Sequence, residues 1–385
     1  MSKIISTLSK MWLKVKNIEN SLFPELQEQL GVLSPKEQRL IKILDFAEIE
    51  KNVCTTSKTN PPKDREQIAR AFIAKSVYNF QTTRDLIDRL SIDRTLRVLC
   101  GWRYSNEIPS ESKFSRVFQE FSELNIAQKT HEQFVKEYLS QMTFFYNATD
   151  ATKIPLREKA VKKEKIEKVK HKPGRPKKGE TREPIKPTIL KQQQKMQTVE
   201  EMLSLVSTEC GVGIKQSSKG NRETWIGGSL HISVVDGDIP ITAFYSGANV
   251  HDSSLALPLI QETSRRVNYM YDLQDAGYDA DIIREFSVKH GHKPIIDINP
   301  KNSQILRDKI ELLEHEREAF QYINQHLDLD KEHYNQRSMV ERVNAYLKDN
   351  FGCNKIYYQG ANKVASVLAF GILSVCIHQS LKMVT

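Results

Sequence analysis

Several things that would decide the class of this chain are scarce or missing. Five cysteines stand in 385 residues, an odd number, and none forms a CxxC pair. That argues against a disulfide framework or a cysteine zinc site and suits a reducing compartment. The longest apolar run, Val364 to Ile377, is shorter than the roughly 18 to 20 residues of a membrane-spanning helix, so it is expected to be a buried core helix. Lysines at 3, 10, 14 and 16 cut the first residues into pieces too short for the apolar centre of a secretory signal, which points to a cytoplasmic protein. With 39% hydrophobic and 27% charged residues the composition is that of a globular chain, and the length suits two or three domains.

What the chain has in excess is positive charge in one place. Residues 153–195 hold 16 Lys and Arg against 5 Glu, a local +11 where the whole chain is +9, so the rest carries −2. Within that segment AVKKEKIEKVKHKPGRPKKGETREPIKP has four prolines from Pro173 to Pro187 and almost no large apolar residue. Such a composition cannot bury enough surface to fold alone and is expected to be a mobile loop. Its Pro173-Gly174-Arg175-Pro176-Lys177-Lys178 core resembles an AT-hook, in which an arginine on extended chain enters the narrow minor groove of A·T-rich DNA. Arg175, Lys177 and Lys178 are therefore candidate DNA contacts, with generic phosphate attraction as the alternative.

Up to about residue 140 the pattern is helical. Phe114, Val117, Phe118 and Phe121 recur at helical spacing, Ile68, Phe72 and Ile73 begin a similar stripe, and Thr82 or Thr83 can cap a helix carrying Leu86, Ile87 and Leu90. Trp102 and Tyr104 read as core residues. From Phe144 the texture changes to a short aromatic and β-branched strand ending at Asp150. Order is expected to resume at Trp225 with a hairpin turning at Asp236-Gly237-Asp238, followed by a helix capped by Asp252 or Ser253. A strand over 269–274, a helix over 280–290 and a strand over 294–298 come next, and helices over 337–349 and 364–383 close the chain. His251 reads as structural and Asp279 as a helix cap. The expected architecture is α/β, a mixed sheet flanked by helices, preceded by an all-helical N-terminal domain. The helical domain covers 1–140 and the α/β domain 141–385, with a basic, proline-containing insertion at about 153–223.

Three acids stand in informative contexts: Asp150 and Asp275, each at a strand end, and Glu341 within a helix. If the two strands lie side by side and parallel, both aspartates emerge at one sheet edge, where open α/β sheets place their ligands. Carboxylates gathered there repel unless cations sit between them, and Mg²⁺ prefers such hard oxygen ligands. The competing reading is that any three of 48 acidic residues are solvated or paired. Tyr334, Arg337, Glu341 and Lys348 fall within about 40° of one helix face at 100° per residue. Arg337 and Lys348 then suit phosphate, and an Arg337–Glu341 surface ion pair is the bland alternative.

The spacing of Tyr334, Arg337, Glu341 and Lys348 resembles the C-terminal signature of the DDE transposases of bacterial insertion sequences. TDATKIPLREK around Asp150, SGANVHDSSLALPLI around Asp252, YDLQDAGYDA around Asp275, and SKFSRVF in the helical part are similar to the same family, over roughly residues 60–385. The resemblance implies an RNase H-like catalytic domain with Asp150, Asp275 and Glu341 as catalytic and metal-binding residues, preferred over Asp272 by the DAGYDA match. It implies two Mg²⁺ ions, with Mn²⁺ as a substitute, and DNA contacts from Tyr334, Arg337 and Lys348. The partner it implies is double-stranded DNA, both element ends and target, bound by a homodimer, and the reaction is cleavage followed by transfer of the 3′-hydroxyl. Two alternatives remain: a metal-dependent nuclease without strand transfer, and a non-catalytic DNA-binding protein.

Overall fold

The computed structural model describes residues 2–53, 63–162, 187–216, 221–300, 303–308, 310–312, 315–316 and 329–385. Its N-terminal part is helical throughout: α1 (Ser2–Asn17), α2 (Phe23–Leu30), α3 (Pro35–Ala47), α4 (Arg65–Val77), α5 (Thr83–Ile92), α6 (Arg94–Cys100), α7 (Glu111–Glu123) and α8 (Ile126–Tyr138). Local chemistry fixes several boundaries. Ser34 accepts from the Glu37 amide while Glu37 returns a carboxylate to the Ser34 amide, with Pro35 at the first helical position. Thr82 and Asp85 make the same reciprocal cap on α5. The predicted apolar stripe of α7 is buried, and so is Trp102, but Tyr104 is 63% exposed. Tyr104 stands beside a short turn over Ser105–Glu107 rather than on a packed helix face, which corrects its assignment to the core.

Six strands form one mixed sheet among the described residues: β1 (Thr143–Pro155), β2 (Gly211–Gln216), β3 (Arg222–Val235), β4 (Ile239–Gly247), β5 (Asn268–Gln274) and β6 (Lys293–Ile296). β1, β5 and β6 run parallel, and β3 lies antiparallel to β1, β2 and β4. β1 does not end at Asp150. It continues to Pro155 because its antiparallel pairing with β3 extends to Pro155↔Gly227, whereas its parallel pairing with β5 stops at Thr149↔Gln274. Gly227 of β3 is paired with Pro155 of β1 on one edge and Gly211 of β2 on the other, and an added Cβ there would run into the Ile154 carbonyl.

Order also resumes before Trp225. Helices α9 (Ile189–Gln193) and α10 (Val199–Ser204) precede β2, so the expected insertion is in part built structure. The alternating Val212, Gly213 and Ile214 pair with β3 along its exposed end. Residues 163–186, with Arg175, Lys177 and Lys178, lie outside the described residues, as does most of 301–328.

Helices α11 (Ala256–Arg266) and α12 (Asp281–Lys289) follow β4 and β5 in the expected order. Asp279 does not cap α12. Its carboxylate accepts instead from Arg284 Nη2 at 2.9 Å and the Asn299 amide at 2.8 Å, tying down the chain after β6. The chain closes with α13 (Leu329–Asn335), α14 (Ser338–Asn350) and α15 (Ala361–Leu381).

At 21 residues α15 is longer than the apolar run inside it, and by length and composition it is long enough to cross a membrane; yet 83% of its apolar window is buried within the protein. It packs on α3, α4, α7 and α8 and also on β4. Phe370 stacks near Phe72, with centroids 5.6 Å apart, and near Phe118 at 6.4 Å. Covered on several sides, this helix is apolar all round. One continuous cluster of buried side chains therefore runs from Met11 and Phe72 through Phe370 to Ile232 and Leu273. Cys100, Cys210, Cys353 and Cys376 are buried in this structure and unpaired.

Candidate active site

The site is built from the register of two strands. Thr149 is the last β1 residue opposite β5, paired with Gln274, so Asp150 and Asp275 are the next residues of two adjacent parallel strands. Alternation along a strand puts Tyr146, Ala148, Asp150 and Thr152 on one face. On that face the Tyr146 hydroxyl meets His333 Nδ1 at 2.6 Å, and Lys348 Nζ donates to Thr152 Oγ1 at 2.6 Å. The matching set on β5 is Tyr271, Leu273 and Asp275, and Tyr271 stacks on His333 with centroids 4.5 Å apart. Both aspartates thus emerge on the face covered by α13 and α14.

Their electrostatics show the crowding. The Asp150 carboxyl is pushed up to about 6, first by burial and then by the negative charge of Asp275, while Lys215 and Arg337 pull it down. Asp275 uses Oδ1 to accept from the Gly277 amide at 2.9 Å, which caps the turn leading to Tyr278. Tyr278 is fully buried below, and the charges of Asp252, Asp150 and Asp275 all act on its phenol.

Asp252 does not cap the helix as its position in the sequence suggests. The cap is instead His251, whose Nδ1 accepts from the Ser253 amide at 3.3 Å. Asp252 is left with its Oδ1 4.0 Å from Nδ1 of His231, an imidazole with no exposure. Its carboxyl is raised by the protein packed around it, lowered by His251 and raised again by Asp275. The string around Asp252 signalled a place near the site; spacing alone gave no role.

Glu341 and its neighbours come from α14, which packs on β1 and β3. Asp238 in the β3–β4 turn anchors that helix by accepting from Arg342 Nη2 at 2.7 Å and Nε at 3.0 Å. Asp236 accepts from the amides of Phe145 and Tyr146 at the start of β1. These aspartates therefore do more than make a turn.

The helix is not continuous through the signature. α13 ends at Asn335 and α14 starts at Ser338, so Tyr334 belongs to a different helix from Glu341 and Lys348. The turn still keeps Arg337 beside Tyr334, with its guanidinium 5.6 Å from the ring centroid. Arg337 Nη2 donates to Glu341 Oε1 at 2.7 Å, and the Arg337 charge also acts on Asp150. Arg337 thus contacts Glu341 and carries its charge into the field of Asp150. Among the described residues no three His, Cys, Asp or Glu side chains are gathered tightly enough to hold a metal ion. The donor set of Asp150, Asp275 and Glu341 is nevertheless all carboxylate oxygen, and Asp275 is near enough for its charge to raise the Asp150 carboxyl, which fits a hard divalent cation.

Cations frame the acids. Lys348 is lowered by burial and then by the charges of Lys153 and Lys215. Lys215 comes from β2, an element absent from the sequence reading, and Lys153 from the continuation of β1.

Comparison with known families agrees with this geometry. Residues 148–377, more than half of the chain, match the model of the transposase DDE domain, and residues 27–120 match a transposase domain described as DUF772. A search among curated proteins returns no match. The match over 148–377 takes in β1 from Ala148, the whole mixed sheet and nearly all of α15, a catalytic domain of RNase H-like fold. An acidic pair at the end of adjacent parallel strands, an arginine that contacts a helix glutamate and acts on the first of these acids, and a family match spanning all of these place this chain among the DDE transposases.

Proposed function

We propose that this transposase cuts the ends of its DNA element and joins the freed 3′-hydroxyl to target DNA, with Asp150, Asp275 and Glu341 as its catalytic acids. The observation that carries the reading is the register Thr149↔Gln274, which sets Asp150 and Asp275 side by side on one face. The three carboxylates would hold divalent metal, Mg²⁺ or in its place Mn²⁺. Such ions supply stabilisation of both the attacking and the leaving oxygen of a phosphoryl displacement. Glu341 would join them by leaving Arg337.

The remaining roles fall to this chain's own groups. Arg337, released from Glu341, presents a planar fork to a phosphate, and Lys348, fixed against Thr152, presents a point charge. Tyr334 is a poor candidate nucleophile because burial raises its phenol far above neutrality. Oxygen nucleophiles from water and from DNA then suffice, with no covalent protein intermediate. DNA would be held by a homodimer, with the basic segment containing Arg175, Lys177 and Lys178 adding phosphate or minor-groove contacts.

The test incubates the purified protein with labelled duplex bearing the element's end, plus target plasmid, with and without Mg²⁺. Mg²⁺-dependent strand cleavage followed by joined product is expected. Cleavage without joined product would make the protein a nuclease. Binding with no cleavage under any divalent ion would leave a DNA-binding protein.

A further inference from the structure

On the side where α3 meets the end of α15, a cavity of about 240 Å³ is lined by Gln38, Arg39, Lys42, His378, Lys382 and Thr385 among others. Among the described residues no acidic side chain lines it. Lys42 is compensated by Glu19, 2.7 Å away. Lys382 Nζ stands 5.7 Å from the centroid of the Tyr346 ring, and neither it nor Arg39 makes an ion pair among the described residues. The Gln38 side chain donates to the Leu33 carbonyl at 3.0 Å, which holds this end of α3 against the preceding turn.

His378 reports the local field. Half-buried in the wall, it is pushed down to about 4, first by burial and then by the charges of Arg39, Lys382 and Lys42. Three cations thus converge on one small concavity, where burial first and then their charges keep the His378 imidazole neutral. With Lys42 balanced by Glu19, the unbalanced charges are those of Arg39 and Lys382; held together around a cavity they raise the energy of the empty state, and an entering anion relieves it. The volume lies below the roughly 300 Å³ at which sites for larger organic ligands begin, so the occupant is small.

We propose that this cavity is an anion site that takes a phosphate group, with Arg39 as the bidentate donor and Lys382 and Lys42 as point charges. The phosphate has two possible sources, the backbone of bound DNA or a free phosphorylated solute. Neither source requires the acids of the proposed active site, so failure of cleavage leaves this inference standing and its own failure leaves cleavage untouched.

The experiment uses the full chain, with Arg39→Gln and Lys382→Gln variants whose thermal midpoints are compared with the parent. Inorganic phosphate is titrated by calorimetry, and a duplex is titrated by fluorescence anisotropy across a salt series. If DNA supplies the phosphate, each variant flattens the plot of log affinity against log salt by about 0.9. If a free solute supplies it, the variants lose the heat of inorganic phosphate binding by tenfold or more in affinity and keep the parent's DNA slope. Parent-like behaviour with both probes overturns the proposal. Should either variant fold poorly, the His378 imidazole of the parent is followed by NMR. Its pKa must rise when phosphate or duplex is added, and an unmoved titration with both overturns the site.

Discussion

Arg337 Nη2 donates to Glu341 Oε1 at 2.7 Å, so the candidate phosphate contact and the candidate metal ligand hold each other in this state of the protein. On the proposed function the surface ion pair and the functional couple would be successive states of the same side chains. Glu341 is 55% exposed, and an exposed i,i+4 pair of this kind stabilises its helix by only about 0.3–0.5 kcal/mol.

Arg337→Ala should accordingly move the thermal midpoint by about 2 °C or less. Joining should fall by tenfold or more, because the fork beside Asp150 is gone. Arg337→Lys should keep the helix pair yet restore little joining, since an ammonium cannot reproduce a bidentate contact. Parent-level joining by Arg337→Ala would assign the residue to the surface pair alone.

Asp150→Asn, Asp275→Asn and Glu341→Gln should each abolish Mg²⁺-dependent cleavage. Each also removes a negative charge near phosphate, so duplex affinity measured without divalent ions should hold or increase. Any one of the three that still cleaves with Mg²⁺ is not a ligand.

The site was legible where residue order maps directly onto space. Parallel neighbours paired in register from Thr143↔Asn268 to Thr149↔Gln274 put Asp150 and Asp275 together, and these strands were visible as FFYNAT and YMYDLQ. What could not be read is what long-range pairing decides. β1 runs past Asp150 because β3 supports it to Gly227, a partner more than 70 residues away. β2 was hidden because Val212-Gly213-Ile214 is too short and glycine-broken to signal a strand before its partner is known, and with it Lys215 was missed. The helical face through Tyr334 was drawn on an unbroken helix, but the turn at Gln336 and Arg337 interrupts it while preserving the Tyr334–Arg337 neighbourhood.

Asp272 offers a test of the buried sheet next to the site. It has no exposure, accepts from Asn147 Nδ2 at 3.1 Å and Gln274 Nε2 at 3.4 Å, and its carboxyl is pushed up to about 6 by burial. A folded-state value above the ordinary 3.8 means the fold favours the protonated acid. Its contribution to stability is thus fully present below about pH 4 and is lost as pH rises through 6. Asp272→Asn removes that loss, and its new amide can face Gln274, whose Oε1 is buried without a partner. The variant should gain on the order of 2–3 kcal/mol over the parent at pH 7 and much less at pH 4.5, measured by urea unfolding. An equal difference at both pH values would show that Asp272 does not titrate as the buried geometry requires.

The last prediction concerns the three lysines beside the acids. Lys348 donates to Thr152 at 2.6 Å, and the charges of Lys153 and Lys215 lower it after burial has done so. Lys153 is paired with Glu223, which leaves Lys215 and Lys348 as the cations with no carboxylate in contact among the described residues. A phosphate placed between them relieves their repulsion and releases counterions from DNA. Lys215→Gln and Lys348→Gln should each flatten the dependence of log affinity on log salt by about 0.9, and together by about twice that. Lys153→Gln should change the slope less, because Glu223 already neutralises it. Lys348→Gln should lower cleavage more than Lys215→Gln, since Lys348 is fixed on the strand two residues beyond Asp150. If the double variant binds duplex with the parent's affinity and slope, these lysines do not touch DNA, and the strand face they border is not where the backbone runs.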